Sequence, residues 1–244
     1  MPGWPPSHRA RPLAAHEVHV WVVRLDVSPA RLARLAAHLD ETERERATRP
    51  VYAVLRDRFT AARGALREVL GAYLQQPPAA VRLAYGARGK PHLVGPATAL
   101  HFNLAHTHDV AMVAVSRDDV GVDVERERPV DHEAVSLRMF SPLERTALLE
   151  LPFGAQNAAF FACWSYKEAY VKAHGEGLTV DTTRFDAWRP ALGDGDRTRV
   201  TGDDVGEHWE IVALRPLPGY PAAVCARGAA WRVVRGEWAA PTPP

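Results

Sequence analysis

The stretch Trp164-Ser165-Tyr166-Lys167-Glu168-Ala169-Tyr170-Val171-Lys172 constrains this chain more than any other. It holds neither glycine nor proline and its charges recur at helical spacing, so it reads as a helix. At about 3.6 residues per turn, Trp164, Glu168 and Lys172 stack along one side, which turns a carboxylate and an ammonium the same way. Alone, the pair is the Glu-to-Lys couple of a solvated helix face, worth about 0.3 kcal/mol. A second acidic pair upstream changes that reading. In Gly121-Val122-Asp123-Val124-Glu125 apolar and acidic residues alternate, as in a strand with Asp123 and Glu125 on one face. Two carboxylates side by side repel unless a cation lies between them. With Glu168 as a third, they make an oxygen site suited to Mg²⁺, which keeps some waters and takes phosphate oxygens as further ligands. The Asp123/Glu125 edge and Glu168 must then meet around one shared cation.

Composition narrows the class. A chain of 244 residues can bury a sizeable core as one large unit or two modest ones. With 30 Lys and Arg against 29 Asp and Glu, no net field argues for a nucleic-acid partner. Two cysteines, Cys163 and Cys225, make no disulfide framework or Cys-x-x-Cys zinc site, so a reducing cytoplasm is the expected compartment. The opening residues lack the apolar core of a signal peptide. No later run approaches the roughly 18 apolar residues of a membrane span, so no membrane association is expected.

Residues 1–17, with four prolines, read as a flexible arm. Val18–Leu25 reads as a strand, and Ser28-Pro29 caps a helix carrying Leu32, Leu35, Ala36 and Leu39. Glu41–Arg46 suggests a second helix whose mixed charges form a solvated face. A long third helix over Val51–Leu74 turns Val54, Leu55, Phe59, Ala62, Leu66 and Leu70 inward and its arginines outward, and Pro77-Pro78 ends it. A short strand over Val81–Tyr85 leads into the loop Gly86-Ala87-Arg88-Gly89-Lys90-Pro91. Leu100–His106 and Val110–Val115 read as strands around a Thr107-His108-Asp109 turn. Ser141-Pro142-Leu143-Glu144 is a capping box with proline at the first helical position. From Gly175 to Trp238 the pattern suggests antiparallel strands, and residues 239–244 a disordered tail. Arg44–Gly71 faintly echoes Glu144–Gly175.

Five of these motifs stand in series between residues 40 and 180: Gly89-Lys90-Pro91, Phe102-Asn103-Leu104-Ala105-His106, Gly121…Asp123-Val124-Glu125, Phe140-Ser141…Glu144, and Trp164…Lys167-Glu168-Ala169…Lys172. Together they resemble the signatures of the Sfp-type (surfactin-type) 4′-phosphopantetheinyl transferases, in the Lys-Glu-Ala variant. The resemblance implies an α+β fold of two similar lobes related by a pseudo-twofold axis, each with a small β-sheet packed on a long helix. The lobes would span 18–119 and 120–238, in a monomer. It also implies an activity: transfer of the 4′-phosphopantetheine group of coenzyme A to a serine of an apo acyl or peptidyl carrier protein, with Mg²⁺, releasing 3′,5′-ADP.

The same resemblance implies the site. Asp123 and Glu125 would hold Mg²⁺ with Glu168 or Glu144 as third ligand. For Glu144 the capping box is a sufficient local explanation, so both readings stand. Glu168 would accept the serine proton and Lys172 would serve the departing phosphate, with Lys167 near a phosphate oxygen. Arg46 and Arg58 lie where the family places basic residues against the 3′-phosphate of coenzyme A, arginine because its fork donates two hydrogen bonds to phosphate, and Lys90, His106 and Thr107 would join them in holding the nucleotide. Ala105 stands where the family usually has serine, which removes one possible hydrogen bond. Arg126, Arg128 and Arg138 could receive an acidic carrier. Three carboxylates beside basic residues also suit a Mg²⁺-dependent phosphohydrolase or nucleotidyl transferase, and a noncatalytic binding module is the remaining class.

Overall fold

The run Val110–Val115 has no polar face to offer water, so a strand there must be covered on both sides. The computed structural model, which describes residues 4–239 apart from 96–98, 176, 178, 179, 191, 203, 204, 206, 207 and 229, covers it on both. The first half comprises β1 (Pro6–Ser7), β2 (Glu17–Arg24), α1 (Pro29–Ala36), α2 (Glu41–Thr48), α3 (Ala53–Leu74), β3 (Leu83–Tyr85), β4 (Pro91–Leu93), β5 (His101–Thr107) and β6 (Val110–Ser116). Next come β7 (Val120–Val124), α4 (His132–Met139), α5 (Pro142–Leu149) and α6 (Phe153–His174). Last are β8 (Phe185–Asp186), β9 (Arg197–Arg199), β10 (Thr201–Gly202), β11 (Trp209–Leu217), β12 (Tyr220–Arg227) and β13 (Arg232–Trp238).

A five-stranded sheet, β1-β13-β2-β6-β5, lies back to back with a four-stranded one, β7-β12-β11-β9. Alternation along each strand divides the core. In the first sheet Trp21, Val23, Ala111, Val113 and Val115 pack beneath α3. Their neighbours Val20, Val22, Met112 and Ala114 meet Val120, Val122, Val124, Val212 and Val224 between the sheets. The outer face of the second sheet, with Ile211, Ala213, Ala223 and Cys225, packs against α6. The fold is α+β, a helix on each outer face of two stacked sheets. Among the described residues no helix is long and apolar enough to cross a membrane.

Four expectations are corrected. The opening stretch is not a loose arm over its described part: Pro6–Ser7 pairs in parallel with Glu237–Trp238, and Leu13 is buried in the core. β13, expected among antiparallel strands of the second half, instead pairs in parallel with β2. Its reason is Trp238, which meets Trp21 edge-on at 5.2 Å and donates to Glu68 at 3.1 Å. On α3, Val54 and Leu55 are exposed, while Arg63 and Arg67 turn inward. They do so because Glu43, expected on a solvated face of α2, is buried and takes hydrogen bonds from both. The expected tail, from residue 240, lies outside the described residues.

A polar network ties β2 to β13. Glu17 accepts from Arg232 at 2.5 Å and from the Ala14 N–H at 3.2 Å, and pairs with His19 at 3.0 Å. The His19 hydrogen bond, then the Ala14 N–H, outweigh burial and, with the Arg232 charge, bring the Glu17 carboxyl down to about 2. A depressed carboxyl stabilises the fold above its unfolded value and loses that contribution as pH falls through the folded one. Glu17→Gln should therefore lower the melting temperature at pH 6, and thermal melts should show the deficit shrinking between pH 4.5 and about 2.

Candidate active site

The site begins with a glycine. Gly121 on β7 faces α6 so closely that an added Cβ would lie 2.1 Å from the Ala169 carbonyl oxygen and 2.3 Å from the Ala173 nitrogen. No side chain fits there, and the strand runs directly under the helix. Asp123, two residues on, shares that face, while Val122 and Val124 point between the sheets. Asn103 on β5 fixes the register from the other side, accepting the Val122 N–H at 2.9 Å. The Asp123 carboxylate thus sits beneath α6, one turn of which supplies both Glu168 and Lys172.

Lys172 Nζ lies 2.5 Å from Asp123 Oδ1 and 3.9 Å from Glu168 Oε2. The two segments meet, with the Lys172 ammonium between the Asp123 and Glu168 carboxylates. Burial pushes the Asp123 carboxyl up to about 7; Lys172 opposes this, while the charges of Glu125 and Glu168 add to it. For Lys172 burial works downward, but Asp123, Glu168 and Glu125 outweigh it and hold the ammonium above its ordinary value. Asp123 Oδ2 is buried with no hydrogen-bond partner among the described residues. An orphaned carboxylate oxygen beside two further carboxylates is what a hard divalent cation satisfies, so these donors fit Mg²⁺ in charge and type. The cage itself is not preassembled: among the described residues no three His, Cys, Asp or Glu side chains form a group that could hold a metal. Glu125 leans instead on Arg128, 3.3 Å away.

A basic row leads away from this cluster. His106, exposed on β5, has its pKa lowered by partial withdrawal from water and by the charges of Lys172 and Arg63. Arg63 donates to the Tyr85 hydroxyl at 2.8 Å, and the Arg46 guanidinium lies over the Tyr85 ring at 5.2 Å. Thr107 ends β5 with its hydroxyl 3.5 Å from His108. Arg58 is committed elsewhere, to both oxygens of Asp26 at 2.7 and 2.9 Å. Lys90 reaches across from its loop to the carbonyls of Val120 at 3.4 Å and Ala173 at 3.1 Å, and burial lowers its pKa. Arg63 and Tyr85 escaped the sequence reading. The available signal was the position of Arg63 on the same stripe as Leu66 and Leu70, since a charge on an apolar stripe implies a buried partner.

Glu144 and Lys167 form a separate centre, bonded to each other and to backbone groups. One Glu144 oxygen accepts the backbone N–H groups of Ala187 at 2.7 Å and Trp188 at 3.1 Å. The other accepts the Ser141 N–H and Lys167, at 3.1 and 2.5 Å. Both side chains are almost wholly buried, and Lys167 also donates to the Phe185 carbonyl. Four donors, of which the capping box supplies only the Ser141 N–H, occupy the two carboxylate oxygens. Lys167→Met should lower stability by roughly 3–5 kcal/mol, the cost of stranding a buried carboxylate, with KM for coenzyme A unchanged. Denaturant unfolding and steady-state kinetics on the one variant check both parts. Gly121→Ala should act on the other centre, costing about 1–3 kcal/mol through overpacking against α6, and calorimetric melting reads it directly.

Comparison with known proteins agrees with this architecture. The model of the 4′-phosphopantetheinyl transferase superfamily matches residues 119–225, which contain β7, α6 and the residues that meet at Lys172. The chain is 36% identical to the 4′-phosphopantetheinyl transferase HetI of Nostoc sp. over 234 residues, covering 94% of this chain and 95% of the other. It is 34% identical to the 4′-phosphopantetheinyl transferase psf-1 of Bacillus pumilus over 57% of this chain and 58% of that one. To Sfp of Bacillus subtilis the identity is 28%, over 66% of this chain and 70% of the other. With a full-length relative of that similarity and the cluster around Lys172 in place, the chain belongs to the 4′-phosphopantetheinyl transferase superfamily of enzymes.

Proposed function

We propose that this chain moves the 4′-phosphopantetheine group of coenzyme A onto a serine hydroxyl of an apo acyl or peptidyl carrier protein, in a Mg²⁺-dependent reaction that releases 3′,5′-ADP. The observation that carries the reading is the orphaned Asp123 oxygen beside Lys172 and Glu168. In the transfer, the serine Oγ forms a bond to the β-phosphorus, and the bond from that phosphorus to the bridging oxygen breaks. Asp123, Glu125 and Glu168 would hold Mg²⁺, which when bound supplies charge neutralisation at the diphosphate. In this reading Lys172 donates to the departing phosphate oxygen. Glu168, about a quarter exposed on the open side of the helix, takes the serine proton directly or through a water.

Arg46, His106 and Lys90 hold the nucleotide in this reading, and Arg58 joins them only by leaving Asp26. Arg126 and Arg138, both exposed, suit an acidic carrier surface. Both sides of the site come from one polypeptide, which supports a monomer, and we place the reaction in the cytoplasm.

Intact mass spectrometry of an apo carrier after exposure to the enzyme, coenzyme A and Mg²⁺ tests the proposal. The carrier should gain a phosphopantetheinyl mass and 3′,5′-ADP should appear; a carrier of unchanged mass beside hydrolysed coenzyme A would establish a phosphohydrolase instead. Asp123→Ala and Glu168→Gln should each lose at least about a hundredfold in transfer, and chelation of the metal should stop it.

A further inference from the structure

We propose that a cavity at the C-terminal end of α3 is a binding site for a free apolar α-amino acid, held in its zwitterionic form. The cavity measures about 350 Å³, at the low end of the range for small-ligand sites. Its wall is made by the last turn of α3 with Gln75, by residues 10–13 of the opening segment, by Leu100 and by Arg117. No residue of the candidate active site lines it.

Charge selects one end of the ligand. Arg11 and Arg117 are both exposed, and neither side chain has a hydrogen bond or ion pair among the described residues. No carboxylate is among the residues that line the cavity. The nearest acidic residues along the chain are engaged elsewhere. Glu17 pairs with Arg232 and His19, Asp118 accepts the Asp119 N–H at 2.8 Å, and Asp119 pairs with Arg227 and His101. Two guanidinium forks left without an acid match a carboxylate.

The helix end selects the other group. Carbonyls in the last turn of a helix lack partners within it and carry the negative end of its dipole. α3 stops at Leu74, Gln75 turns left-handed at a φ of 53°, and the Gln75 N–H goes back to Gly71. Pro77 and Pro78 stand where N–H groups four residues on would meet the Tyr73 and Leu74 carbonyls, and proline has none. Such an end favours an ammonium and opposes a doubly charged phosphate. The rest of the wall is apolar: Leu13 and Leu100 are buried, and Leu74 and Tyr73 stand beside them. The Tyr73 hydroxyl is already engaged, accepting the Trp21 N–H at 2.9 Å and pairing with His19 at 2.6 Å. A carboxylate at the arginines, an ammonium at the helix end and an apolar body against the leucines describe an amino acid of the leucine or phenylalanine kind.

Calorimetric titration of the full chain with L-leucine and with L-phenylalanine, without carrier or coenzyme A, reads this site apart from any transfer chemistry. At least one of the two should bind saturably, with Kd below about 1 mM. Its deaminated and decarboxylated analogues should each bind at least about tenfold more weakly, because each leaves one charged partner unmet. Arg11→Gln and Arg117→Gln should each weaken the amino acid about tenfold and leave the affinity for coenzyme A within about twofold. Both arginines are exposed, so neither change threatens the fold. Arginines that only offset the helix dipole would give no saturable binding of either amino acid, and that result overturns the inference. So does a deaminated analogue that binds as well as the amino acid, or a pair of variants that bind it as wild type does.

Discussion

The closeness of β7 to α6 is the constraint on which the candidate site depends. Because Gly121 lets the strand backbone touch the helix at Ala169 and Ala173, the next residue on that face, Asp123, is carried under the helix and out of water. A carboxylate so placed is costly to ionise, which is why its pKa rises to about 7 even with Lys172 against it. Half of that carboxylate is satisfied and half is not. The fold has thus gathered negative charge at one point and offset only part of it, which suits a place that receives a cation and phosphate oxygens together. A strand two or three ångströms farther from the helix, about the room a side chain would need, would separate the same residues without changing any of them.

A second pair of buried charges organises each half. Glu43 and Glu144 both stand at the third position of a short helix closed by a capping box. Each is bonded to a cation on the long helix that follows, Glu43 to Arg63 and Arg67, Glu144 to Lys167. Such pairs gain little over apolar residues of the same shape, but losing one partner is expensive, so they define how the short helix sits on the long one. In the first half this pairing has a further consequence, because Arg63 also carries Tyr85 and, through its ring, Arg46. In the second half Lys167 is taken up by Glu144 and the Phe185 carbonyl, and the side of α6 toward Asp123 is left to Glu168 and Lys172.

Local chemistry was legible. The capping box at Ser141, the helix through Trp164–Lys172, the turn at Thr107–Asp109 and the alternation at Gly121–Val124 all depend on neighbours within a turn or a pleat, and all are formed. What failed were statements about partners. Mixed charges on α2 read as solvated because Glu43 and Arg63 are 20 residues apart. The opening segment read as loose because its strand partner is the last strand of the chain.

By itself, then, the sequence determined where the main helices and strands form and which family signatures they carry, since period and capping are short-range properties of a backbone. Tertiary structure alone decided that Glu144 serves the fold, that Arg58 is engaged by Asp26, and that Lys172 stands between Asp123 and Glu168. The reason is physical: spacing along an element says which way a charge points, but the residue it meets is chosen by the packing of elements distant in sequence, here by the missing side chain of Gly121.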